Sequence, residues 1–139
     1  MKKSALLNSD ISYLVGTLGH TDEITIADAG LPIPEDVERI DLALTHGVPG
    51  FIQTVETILK ESQIEGVVIA EETKQVSPEL HDELLEVIRK DAESTGRETK
   101  ISYVSHEEFK VRTFESRAVV RTGECTPYAN VIFQTGVTF

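Results

Sequence analysis

Apolar positions along the chain follow two periods, and their alternation predicts an α/β fold. Helical spacing appears at Ile11, Leu14, Val15 and Leu18, behind the capping residues Asn8 and Ser9, and again at Phe51, Val55, Ile58 and Leu59. A third helix face comprises Leu80, Leu84, Leu85 and Ile88. There Ser77-Pro78-Glu79 offers a cap, a proline for the first helical position and an acid at the positive end of the helix dipole. Strand signals lie between these faces, at Glu23–Ala27, 39–44, 66–70, Lys100–Val104, 117–121 and 130–134. The uninterrupted apolar run Gly66-Val67-Val68-Ile69-Ala70 reads as a strand buried on both faces, as in a parallel sheet.

The breaks between these segments are specific. Gly19 ends the first helix and leaves His20 at its exit, whereas Gly30-Leu31-Pro32-Ile33-Pro34 is a stiff loop because two prolines remove donors and push their predecessors toward extended backbone. Gly47-Val48-Pro49-Gly50 is a turn, and Ser94-Thr95-Gly96-Arg97 reads as a mobile surface loop. Ser105-His106-Glu107-Glu108 fits a capping box and would hold His106 in the first turn of a short helix. The expectation is one domain over residues 1–139, a three-layer α/β/α arrangement around a mostly parallel or mixed sheet. The uncharged ending Gly136-Val137-Thr138-Phe139 is expected to pack, in or beside a subunit interface.

Charge narrows the partners. The 139 residues carry a formal net charge of -11, which disfavours nucleic acid and anionic membrane surfaces, because binding phosphates needs clustered Lys and Arg. Met1-Lys2-Lys3 is followed too soon by Asn8-Ser9-Asp10 for a signal-peptide core, and no run is long enough to span a membrane. The single cysteine, Cys125, cannot form an intrachain disulfide and fits a reducing cytosol, where it reads as a packing thiol.

Candidate chemistry gathers around the first strand. His20 precedes Asp22, a carboxylate that could fix the imidazole tautomer for proton transfer; alternatively the imidazole merely complements the helix end. Asp28 follows the strand, in the position where open α/β sheets bind ligands, and either caps the turn at Gly30 or meets a polar ligand. His106 with Lys110 would share a helix face. Tyr128 and Asn130, if the segment is already extended, would point the same way with a hydroxyl and an amide. The histidines at 20, 46, 81 and 106 have no metal-ligand spacing, so no metal is expected.

Three separated motifs in order, Gly19-His20-Thr21-Asp22 with Asp28-Ala29-Gly30-Leu31-Pro32-Ile33-Pro34, then Ser105-His106, then Gly123-Glu124-Cys125-Thr126-Pro127-Tyr128-Ala129-Asn130, resemble the D-ribose pyranase (ribose mutarotase) family. The likeness runs the length of the chain. L-fucose mutarotases are related through Gly-His-x-Asp and Tyr-x-Asn elements but differ around Gly30-Leu31-Pro32 and Thr126-Pro127. The resemblance implies a cytoplasmic, cofactor-independent isomerase interconverting pyranose and furanose D-ribose. It further implies homo-oligomers, commonly decamers of two pentameric rings, with sites near subunit boundaries. By resemblance His20 is the general acid, and Asp28, His106, Tyr128, Ala129 and Asn130 hold the sugar, with Asp22 and Lys110 as possible support. The alternative from another class is a non-catalytic ribose-binding or regulatory subunit of ribose uptake.

Overall fold

The computed structural model describes all residues from Met1 to Phe139. Six strands form one mixed sheet: β1 (Glu23–Ala27), β2 (Glu38–Asp41), β3 (Ile64–Ala70), β4 (Lys100–Val104), β5 (Ser116–Arg121) and β6 (Val131–Thr135), in the order β2-β5-β1-β6-β3-β4. Only β6 runs against the rest, pairing antiparallel with both β1 and β3. The five other strands consequently end at one edge of the sheet, and β6 begins there.

Period-two alternation divides the strand residues between two cores. Ile24, Ile26, Val67, Ile69, Val120, Val131 and Phe133 face α1 (Ser9–Thr17), α2 (Phe51–Leu59) and α4 (Pro78–Thr95), which bury Leu14, Phe51, Val55, Leu84 and Ile88 against them. Ala27, Val68, Val119 and Ile132 face the other way, toward Phe109 of α5 (His106–Arg112) and Leu31 of the proline loop. The expected three layers are therefore present but unequal. Phe109 is fully buried, an anchor worth about 1.5–3 kcal/mol that fixes the helix bearing His106.

Several local expectations are corrected. The second strand stops at Asp41 rather than reaching residue 44, because the Asp41 carboxylate accepts the Ala43 amide and Leu44 N–H turns back to the Val48 carbonyl. Residues 94–97 are not a loop throughout: α4 continues to Thr95, the Ser94 and Thr95 hydroxyls donate to the Asp91 carbonyl, and Gly96 ends the helix at φ 69°. A short helix unforeseen from periodicity, α3 (Glu71–Val76), buries only Thr73 and so shows no apolar stripe. Ser77 is the N-cap residue of α4 as expected, but its hydroxyl donates to the Pro127 carbonyl at 2.6 Å instead of capping the helix amides. Cys125 is exposed rather than packed. The tail packs in part: Gly136 N–H donates to the Gln63 carbonyl and the Val137 carbonyl accepts from Arg97, while Phe139 is 95% exposed.

Candidate active site

The strand ends create two chemically distinct edges. At the carboxyl edge, Asp28 leaves β1 and is clamped from both sides. Its Oδ1 accepts the Gly30 amide at 2.9 Å, its Oδ2 accepts Asn130 Nδ2 at 3.0 Å, and its own N–H donates to Asn130 Oδ1 at 2.9 Å. Asn130 is buried, and both polar atoms of its amide serve this reciprocal pair. The expectation that Asp28 caps its turn is met, and the carboxylate keeps lone pairs for a further donor.

Residues 128–130 bridge from Asp28 to His106. Tyr128 adopts left-handed backbone, φ 60°, so the proposed strand-like alternation with Asn130 does not apply. Its carbonyl is held by the Thr73 hydroxyl at 2.9 Å and the Asn130 amide at 2.9 Å, while Ala129 is buried beneath. The Tyr128 ring meets the His106 ring edge-on with centroids 4.9 Å apart. His106 is placed by the capping box at Ser105 and Glu108 and by its backbone N–H, which donates to Glu72 at 2.8 Å. Its Nδ1 is buried without a partner. Lys110 is engaged with Glu107 at 2.7 Å.

His20 stands at the opposite, amino edge. It rides a tight turn in which Asp22 N–H donates to the Gly19 carbonyl, Asp22 Oδ2 accepts the Gly19 amide at 2.8 Å, and Thr21 takes φ 69°. Thr135, at the far end of β6, bonds this turn through its carbonyl and its buried hydroxyl. The Gly19 amide, and after it Arg117 at 3.1 Å, hold the Asp22 carboxyl below the usual range. Asp22 is thus committed to the turn and to Arg117, not to the imidazole. The carboxylate at His20 is Glu65 of β3, whose two oxygens lie 2.9 and 3.1 Å from Nε2.

These positions separate the sequence candidates into two groups. Asp28, His106, Tyr128, Ala129 and Asn130 come together; His20 does not join them, because the five residues of β1 alone span roughly 13 Å. A hollow of about 230 Å³ beside the carboxyl edge is lined by Ala29, Leu44, His46, Arg121 and Cys125 among others, and by none of those five residues. Glu65 and Glu72 were missed in the sequence. Glu65 could have been noticed as a charge within a strand otherwise apolar, whereas Glu72 sits in a helix without a periodic signal.

A model of the RbsD / FucU transport protein family matches residues 1–138. The chain belongs to this family. Among curated relatives it is similar to a D-ribose pyranase of Vibrio parahaemolyticus, at 72% identity, and one of Vibrio cholerae, at 67%, each over the whole of both chains. Among solved structures it is similar to Bacillus subtilis RbsD complexed with D-ribose, with 45% identity, complete coverage of both chains and a TM-score of 0.91. A fucose mutarotase from Streptococcus pneumoniae shares the RbsD/FucU fold at a TM-score of 0.76 and 22% identity, covering 99% of each chain. No helix of the chain is long and apolar enough to cross a membrane.

Proposed function

We propose that this chain is a D-ribose pyranase, an isomerase that interconverts the pyranose and furanose forms of D-ribose by opening and reclosing the hemiacetal. The observation that carries this reading is the full-length similarity, at 72% identity, to a relative bearing that name. The likeness to a ribose-bound RbsD supports D-ribose as the ligand. Residues 1–139 act as one domain.

Opening the ring needs a proton on the ring oxygen and the loss of one from the anomeric hydroxyl; a different hydroxyl then attacks the aldehyde. His20 is the general acid. Asp28, clamped by Asn130, accepts hydrogen bonds from sugar hydroxyls, and His106 bonds another, with the Tyr128 ring and the 128–130 backbone closing the pocket. A partner, His106 or Asp28, directly or through water, accepts the anomeric proton. Asp22 supports the turn under His20, and Lys110 steadies α5 through Glu107.

Because His20 and the sugar-holding group occupy opposite edges of one sheet, the working site joins the amino edge of one subunit to the carboxyl edge of the next. Head-to-tail contacts close into rings where the rotation between subunits permits, and on the family resemblance we propose a decamer of two pentameric rings. Exposed Phe114, Val111 and Leu44 are available for these contacts. The net charge of -11 argues against nucleic acid or anionic membranes as partners. The free Cys125 agrees with a cytoplasmic location.

Exchange NMR on D-ribose tests the assignment. Wild type accelerates pyranose–furanose exchange at unchanged equilibrium, and His20→Ala lowers the acceleration by about 10²- to 10⁴-fold. Ribose binding without accelerated exchange in wild type would instead identify a non-catalytic ribose-binding subunit.

A further inference from the structure

The His20 turn is rigid, yet nothing in the turn itself holds the imidazole. The ring is held across the sheet by Glu65, forty-five residues away in sequence, and Glu65 has no Lys or Arg partner. Room for this carboxylate is left by Gly136: a Cβ there would stand 3.2 Å from Glu65 Cβ and 3.4 Å from Oε2.

Resting on the assignment of His20 as the general acid, we propose that Glu65 is its positioning residue, fixing which imidazole nitrogen exchanges a proton with the sugar. An ionised carboxylate only accepts hydrogen bonds, so Nε2 keeps its proton whether the ring is neutral or charged. Nδ1 is then the working nitrogen. In ring opening the Nδ1 proton passes to the ring oxygen as the C1–O bond breaks, and the anomeric hydroxyl releases its proton to water while its electron pair forms the aldehyde. Closure reverses each transfer, so no proton is gained or lost over the cycle. Glu65 stays ionised throughout and does not touch the sugar.

The test uses the full-length assembly with Glu65→Ala, the isosteric Glu65→Gln, His20→Ala and the double variant Glu65→Ala/His20→Ala. Glu65→Ala is expected to slow exchange about 10- to 100-fold while ribose affinity stays within about twofold. The double variant is expected to be no slower than His20→Ala, because one group acts through the other. Imidazole ¹⁵N shifts of neutral His20 should report one Nε2–H tautomer in wild type and a mixture in both Glu65 variants, the glutamine serving where alanine disturbs assembly. Wild-type exchange in Glu65→Ala beside slow His20→Ala, or an unchanged tautomer in both Glu65 variants, overturns the proposal and leaves the acid assignment standing. Fast exchange in His20→Ala overturns the acid assignment instead.

Discussion

If each site takes His20 from one subunit and the carboxyl edge from another, two inactive variants must rescue each other. His20→Ala removes the acid. His106→Ala damages the sugar-holding edge without taking a hydrogen bond from the fold, since Nδ1 has no partner and the bond to Glu72 belongs to the backbone N–H. Residues on β1 alone put roughly 13 Å between the two edges, too far for any rotamer of His20 to reach the Asp28 side of its own chain. In assemblies formed from equal amounts of both variants, about one quarter of the sites receive an intact His20 from one neighbour and an intact His106 from the other. Co-expression with distinguishable tags, purification of the mixed oligomer and exchange NMR should therefore return about one quarter of wild-type acceleration, well above His20→Ala alone, which falls to about a hundredth or less, and above His106→Ala alone. Mixed oligomers as slow as the single variants would refute the shared site and return both edges to one chain.

Two stability predictions follow from the same geometry. The Asp22 carboxyl is held below its ordinary value by the Gly19 amide and then Arg117, so its contribution is full above the unfolded value near about pH 4 and is lost as pH falls through the folded value. Urea unfolding of wild type and Asp22→Asn should thus differ most near neutral pH and converge in acid, with much of the difference surviving high salt because the leading cause is a backbone bond; a difference independent of pH would contradict this. Gly123→Ala would place a Cβ 2.3 Å from the Val48 carbonyl oxygen and 2.6 Å from that of Thr45, backbone atoms that cannot swing aside. The expected loss is about 3 kcal/mol by denaturant unfolding, whereas Gly16→Ala, which meets nothing within 4 Å in α1, should be neutral or stabilising; equal effects would refute the steric reading.

The sequence by itself determined the elements whose periodicity is strong: the apolar stripes of α1, α2 and α4, the buried β1 and β3, and the capping box that places His106. It also carried the family motifs, because a turn before a strand and an aspartate after one are local features. Tertiary structure decided what local pattern cannot encode. Asp22 was the nearest carboxylate to His20 along the chain, but β3 lies two strands from β1 and brings Glu65 to the ring instead. Tyr128 bends into left-handed backbone because Thr73 and Asn130 bind its carbonyl, a constraint from α3, which has no apolar stripe to announce it. That His20 and Asp28 lie at opposite ends of β1 was legible in the sequence, since a five-residue strand holds its flanks roughly 13 Å apart. Only the sheet order, with β6 between β1 and β3, set Glu65 beside His20 and Asn130 beside Asp28, because partners across strands come from packing and not from local pattern.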